Sequence, residues 1–184
     1  MLINIYMKQL FWKLAKKHGA ESLTNIFTGQ QYLHRVYFLG PKLIKGVAGM
    51  YSDSRVCLNY FLGSDLPFEH NHPWGYFTLI LSGGYYECRG KERKWRGPGW
   101  FAWRKHDDFH RVEIPEGGHA ITFFIKGKRK KNSTFFKMED GTIMKDLKYW
   151  RREGIDRAMI GSMIQWRTPP VSYTHLTLPT NREV

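Results

Sequence analysis

The chain has 184 residues, 42% of them apolar and 16% aromatic, and its 29 Lys and Arg against 16 Asp and Glu give a formal net charge of +13. This length and apolar content predict one folded domain with a substantial core and exclude wholesale disorder. No apolar run approaches the ~18 residues of a membrane-spanning helix, and two cysteines, Cys57 and Cys88, cannot form a disulfide framework. The N-terminal segment carries lysines within its apolar stretch and lacks a signal-peptide cleavage site, so we expect a soluble, cytoplasmic protein.

The first part of the chain has helical periodicity and predicts an amphipathic helix that ends at Gly19. Lysines occupy the positions between the apolar residues, and this basic face either is solvated or contacts an anionic surface. The apolar face is predicted to comprise Ile5, Met7, Leu10, Phe11, Leu14 and Ala15.

From Gln31 onward the pattern changes to short aromatic and β-branched runs separated by Gly, Pro, Asn and Asp, which is typical of a β-sandwich or barrel. A final hairpin is predicted near Asp140 and Gly141, and a terminal helix over residues 156–166. Trp74, Trp100 and Trp103 are expected to pack inside the barrel. The main strands are predicted at residues 32–39, 43–47, 56–61, 77–81, 84–89, 94–95, 100–103, 110–114 and 120–125.

The chain divides by composition into a helix and linker (1–30), a barrel (31–150), a helical extension (151–169) and a tail (170–184). Residues 171–180 of the tail resemble a translated sequencing adapter residue for residue. We therefore expect an artefactual, disordered tail, and a natural chain that continues differently beyond about residue 169.

Three histidines are the candidate metal ligands. His70 and His72 stand at spacing i, i+2, which on a strand places both imidazoles on one face. His110 opens another predicted strand, where Val112 and Ile114 would share its inward face. An inward histidine in an apolar wall needs a partner, and three imidazoles on one face would hold a divalent transition metal.

The motifs occur in the order His70-Asn-His72-Pro-Trp74, an apolar strand closed by Gly83, a Pro98-Gly99 turn and the pair His110-Arg111. These motifs and their order resemble the cupin superfamily of small jelly-roll barrels. More narrowly, the stretch is similar to uncharacterised phage and bacterial cupin-like proteins with a His-x-His-Pro-Trp segment. The resemblance implies a mainly β fold, a single double-stranded β-helix barrel behind the N-terminal helix. It also implies one metal (Fe, Zn, Mn or Ni) on His70, His72 and His110, and a homodimer.

The chain departs from the cupin pattern where the family usually carries a glutamate. That position falls at Tyr76 or Phe77. A site of three histidines alone suits zinc with water or non-haem iron, and the missing glutamate also fits a metal-free barrel. Tyr76 shares the parity of His70 and His72, and is either an acid lining the pocket or a core aromatic. Arg111 either points outward or binds an anionic substrate from a bulged strand.

Three functions remain open from the sequence. The first is a metal-dependent enzyme acting on a small molecule, either dioxygenase-like or a hydrolase or isomerase. The second is a metal-free ligand-binding or epimerase-like barrel with His72 or His110 as base and Tyr76 as acid. The third is a barrel that binds nucleic acid through its basic surface, although the charge equally suits solubility. The basic clusters lie at residues 89–96, 126–131 and 148–152.

Overall fold

The computed structural model describes residues 2–24, 31–39, 55–131, 133–137, 141–145 and 164–167. Within these ranges the chain forms one helix, α1 (Leu2–His18), and a series of antiparallel strands. The strands are β1 (Ala20–Thr24), β2 (Gln31–Leu39), β3 (Arg55–Phe61), β4 (Glu69–His70), β5 (Trp74–Gly83), β6 (Tyr85–Arg89), β7 (Glu92–Arg96), β8 (Phe101–Arg104), β9 (Arg111–Glu113), β10 (Ala120–Arg129), β11 (Phe135–Lys137), β12 (Ile143–Lys145) and β13 (Ile164–Arg167).

The predicted amphipathic helix is confirmed as α1. It ends at Gly19, whose φ of 81° lies in the left-handed region that glycine tolerates best. Phe11 and Ala15 are almost fully buried against the large sheet. The prediction for Ile5 is wrong, because its side chain is 47% exposed. Ile5 lies two residues, about 200° of helical rotation, from Met7, which starts the row that packs on the sheet.

The strands form two facing layers. One is a seven-stranded sheet in the order β13-β1-β2-β3-β10-β5-β8. The other combines the sheets β12-β11-β4 and β7-β6-β9, because a bridge between His70 and His110 joins β4 to the start of β9. From β3 to β11 the chain passes repeatedly between the two layers, which is the winding of a jelly roll. The predicted fold class, a mainly β jelly roll with an N-terminal helix, is confirmed.

The sequence analysis does not predict three of the strands. β1 lies in the same sheet as β2, so the first 30 residues contribute a strand as well as the helix. β4 is only two residues long, too short for a periodic pattern. β13 corrects the predicted terminal helix where the two overlap, because Ile164–Arg167 pairs antiparallel with β1 and covers the edge of the sheet. Pairing between strands so far apart in the chain produces no recognisable pattern in the local sequence. The predicted strand at 43–47, the rest of the predicted helix at 156–166 and the predicted tail at 170–184 lie outside the described residues.

Two apolar clusters stabilise the described fold. The first fills the space between α1 and the outer face of the large sheet, with Phe11, Val36 and Ile121 at its centre. The second lies between the two layers and contains Ile80 and Val112, with Trp100 packed against it. Burying each such side chain contributes about 1.5–3 kcal/mol.

Trp103 corrects the expectation that the tryptophans pack inside, since it is 72% exposed. It lies on β8, the edge strand of the large sheet, where its ring contacts Phe77 at a centroid distance of 4.9 Å. Among the residues that the structure describes, no helix has the length and apolar character required to cross a membrane.

Candidate metal centre

The three predicted histidines converge inside the jelly roll. His70 ends β4, His72 follows it by two residues, and His110 directly precedes β9. One ring nitrogen from each lies within 4.8 Å of those of the other two, and no carboxylate or thiol among the described residues joins this group. The structure therefore brings together the residues that the sequence spacing singled out.

Backbone hydrogen bonds fix the three positions. The amide of His70 donates to the carbonyl of His110 at 2.8 Å, and the amide of His110 donates back at 3.0 Å. Between His70 and His72, the side chain of Asn71 accepts a hydrogen bond from the amide of Phe135 at 3.0 Å. His72 itself lies after β4 and not within it. The amide of Asn71 also donates to the carbonyl of Phe135 at 3.1 Å, so Asn71 fixes the backbone between the two histidines beyond the end of β4.

The environment keeps the imidazoles of His72 and His110 neutral. Burial, followed by the neighbouring His70 and Arg35, holds the pKa of His72 well below its ordinary value. Burial, followed by His70 and His72, does the same to the pKa of His110. The Nε2 atoms of His72 and His110 are 3.0 Å apart. Metal ligands must be deprotonated, so neutral rings at this spacing suit a cation.

The donor set fits one divalent transition ion. Imidazole nitrogens are ligands for zinc, iron, nickel and copper, and three of them leave coordination positions open for a substrate or water. His70, His72 and His110 would hold the ion. Positions 76 and 77, where the resemblance to cupins implies a glutamate, hold Tyr76 and Phe77 and offer no carboxylate ligand. Phe77 points away from the site, towards Trp103.

Tyr76 lies in direct contact with the histidine group. Its Oη is 3.0 Å from Nε2 of His110, and its ring stacks on Phe124 at a centroid distance of 4.9 Å. Burial, followed by the charge of Tyr85, raises the pKa of Tyr76 well above its ordinary value. The phenol therefore stays protonated at neutral pH and can donate a hydrogen bond at the centre.

Arg111 and Glu69 do not join the histidine group. The guanidinium of Arg111 pairs with Glu113, two residues along the same strand, whereas the intervening Val112 is buried in the inner cluster. Glu69 accepts a hydrogen bond from the amide of Gly90 and lies 4.0 Å from the ammonium of Lys137. The substrate-binding role of Arg111 stays a prediction.

Sequence reasoning did not single out Arg35 as a site residue. Its Nε donates to Oδ1 of Asn59 at 2.6 Å, and its charge contributes to the lowered pKa of His72. The available signal is a charged residue in the middle of a strand that is otherwise largely aromatic and aliphatic, Gln31–Leu39. A charge at such a position is either a paired structural residue or part of a site.

The cations of the basic segment 89–96 are largely paired. Arg93 contacts Glu113 at 2.7 Å, Arg89 lies 3.6 Å from Asp108, and Arg96 lies 3.1 Å from the buried Glu87. Within the second basic segment, Lys126 is buried. Binding of nucleic acid stays a prediction.

No protein-family model matches the chain, and no curated protein matches it. Solved structures do match. A cupin-2 domain protein from Rhodospirillum rubrum aligns with a TM-score of 0.44 and 13% identity over 72% of this chain and 78% of that chain. A protein of unknown function with a cupin-like fold from Ralstonia eutropha has a TM-score of 0.44 and 15% identity over 80% and 85% of the two chains. The polyketide cyclase RemF from Streptomyces resistomycificus has a TM-score of 0.44 and 9% identity over 62% and 71%.

All three TM-scores are below 0.5, so the fold is defined by the strand order of the chain itself, and function has to be argued from the site. By that strand order the chain is a mainly β jelly roll with an N-terminal helix. Its interior carries a three-histidine group.

Proposed function

We propose that the chain is a cupin-like metalloprotein that binds one divalent transition metal and acts on a small molecule. His70, His72 and His110 are the proposed ligands. The observation that carries the proposal is the convergence of three imidazoles from two separate chain segments, with burial keeping His72 and His110 neutral. Removing three imidazoles from water costs free energy unless a partner compensates for the lost hydrogen bonds, and a bound metal would do so.

A bound metal would supply Lewis-acid polarisation of a substrate oxygen, activation of water, or a site for oxygen chemistry. The protein's own contribution is binding and orientation. The phenol of Tyr76 would donate a hydrogen bond to a substrate atom in place of its contact with His110. Burial of Tyr76 and His110 excludes bulk water and strengthens that hydrogen bond. Both a dioxygenase-like and a hydrolase or isomerase reaction are compatible with these roles.

A second function is favoured by one contact. The Oη of Tyr76 lies 3.0 Å from Nε2 of His110, and this places a neutral imidazole beside a protonated phenol. In a metal-free, epimerase-like barrel, His110 would take a proton from the substrate and Tyr76 would give one. Activity that survives chelation would favour this alternative.

Metal content tests the proposal. The wild-type chain, a His70→Ala/His72→Ala double variant and a His106→Ala control are expressed without a histidine tag and reconstituted without oxygen with Fe²⁺, Mn²⁺, Ni²⁺ or Zn²⁺. His106 is a suitable control because it lies outside the histidine group. We expect about one equivalent of metal in the wild type and the control, and almost none in the double variant. A wild type that retains none of the four metals would overturn the proposal.

A further inference from the structure

The interior of the large sheet carries cationic side chains beside the histidines. Arg35 lies on β2, Arg55 on β3 and Lys126 on β10, and Arg55 and Lys126 are cross-strand partners. Arg55 is only 3% exposed and Lys126 only 8%. Charged side chains are seldom this buried unless they serve a partner.

Aromatic rings connect these cations to the histidines. The ammonium of Lys126 lies 3.9 Å from the centre of the Trp74 ring, and Trp74 stacks beside His72 at a centroid distance of 6.0 Å. The guanidinium carbon of Arg35 lies 6.0 Å from the centre of the Phe124 ring, and that ring stacks on Tyr76. Arg35 and Lys126 are therefore each linked to the histidine group through contacts with aromatic side chains.

Carboxylates do not balance the positive charge at Lys126. Burial, followed by Arg55, Arg35 and Arg129, lowers the pKa of Lys126 to about 8, and the opposing contribution of Glu21 is smaller. Glu21 lies 3.8 Å from Arg35. Among the described residues, no carboxylate forms an ion pair with the ammonium of Lys126, whose contact is with the face of Trp74. The potential at this nitrogen is thus positive and suits an anion.

We propose that Lys126 and Arg35 bind the anionic group, a carboxylate or a phosphate, of a small organic substrate and direct its other end to the three histidines. The catalytic part of this inference rests on the proposed metal function, whereas binding of the anion does not require the metal. An arginine fork and a lysine ammonium in a low-dielectric interior are strong receptors for such groups. Arg111, the anion-binding residue predicted from the sequence, pairs with Glu113. Arg35 contacts Asn59 and Glu21, so Lys126 is the main contact of the anion and Arg35 adds its charge.

The test measures binding of succinate, neutral succinamide and inorganic phosphate by calorimetry, with metal-free and Zn²⁺-loaded protein. The variants are Lys126→Met, which removes the charge, Lys126→Arg, which keeps it, and Lys128→Met. Lys128 is a matched control because it is an exposed lysine on the same strand. We expect succinate to bind the metal-free wild type and succinamide not to bind. The Kd for succinate should rise at least tenfold in Lys126→Met, rise less in Lys126→Arg, which keeps the charge, and stay unchanged in Lys128→Met.

The outcomes separate the two proposals. Equal binding of succinate and succinamide, or an unchanged Kd in Lys126→Met, would overturn the anion site. Tighter binding of phosphate than of succinate, lost in the same variant, would assign the site to a phosphate group. Metal content is measured on the same samples. If the protein binds the anion but no metal, the anion site is supported and the proposed metalloprotein function is overturned. If the protein binds metal but not the anion, the metalloprotein function is supported and the anion site is overturned. If Lys126→Met does not fold, Arg35→Gln is used in its place and is expected to lose succinate binding.

Discussion

The two faces of the large sheet differ in the side chains that they carry and in what those side chains contribute to stability. Its outer face, under α1, is packed with apolar side chains around Phe11 and Val36. Its inner face is apolar only towards Ile80 and Ala120. At the other end, the inner face carries Tyr76, Arg35 and Lys126 beside the histidines. The comparison indicates that the helix-covered face supplies much of the stability, which allows the interior to hold charged and polar groups that cost stability.

Removing an anchor of the outer face gives the largest expected effect. Phe11→Ala should lower the free energy of unfolding by about 3–5 kcal/mol, because a fully buried aromatic is replaced by a cavity. Urea denaturation measures the change. Ile5→Ala is the control on the same helix and should change stability by less than about 0.5 kcal/mol, since Ile5 is half exposed. Equal effects of the two variants would mean that the outer face is not the main source of stability.

On the inner face, removal of a charge should have the opposite sign. Lys126→Met should raise the free energy of unfolding at pH 7 by about 1–2 kcal/mol, because a cation whose pKa is lowered by burial and by Arg55, Arg35 and Arg129 opposes folding. Since the folded pKa, about 8, lies below the ordinary value of 10.5, the unfolded wild type binds more protons between them. Wild-type stability should therefore rise with pH across this window, and the difference from the variant should shrink.

Urea denaturation of the wild type and of Lys126→Met between pH 7 and pH 10 measures this effect, with Lys128→Met as the control. A destabilised Lys126→Met variant with no pH dependence relative to the wild type would show that Lys126 is an ordinary structural residue. The contrast between the two faces would then fail at this residue.

The smallest expected effect is that of the phenol at the histidine group. Tyr76→Phe should lower stability by only about 0.5–1.5 kcal/mol, because it removes a single hydrogen bond to His110 and keeps the ring on Phe124. Metal content should stay near one equivalent, since Tyr76 is not one of the proposed ligands. Loss of the metal in Tyr76→Phe would instead make the phenol part of the metal site.

Local patterns identified most of the elements near the site. The row from Met7 through Phe11 to Ala15 predicts α1, and Gly83, at the end of β5, marks the turn that closes that strand. Gly83 has a φ of 69°, and a side chain there would collide with the backbone of His119. His70, His72 and His110 were found because a spacing of two residues and an inward strand position are local features.

The remaining features depend on contacts between distant segments. Trp103 was expected inside because aromatic residues favour the core, but β8 is an edge strand and its outer face lies uncovered by α1 in the described structure. β13 forms only because β1 offers a free edge about 140 residues away in the chain. His72 was expected on a strand, and its position depends on the contact of Asn71 with Phe135.

The sequence by itself determined the helix, most of the strands and the three histidines, because each has a periodicity or spacing that is set by its own segment. Only the tertiary structure decided which face of the large sheet is the interior. Both faces of β2 are largely buried, with Val36 under the helix and Arg35 towards the barrel, so alternation alone cannot distinguish them. Packing of α1 on one face makes the opposite face the interior. Arg35 and Lys126 lie on that interior face, and this places them beside the histidines.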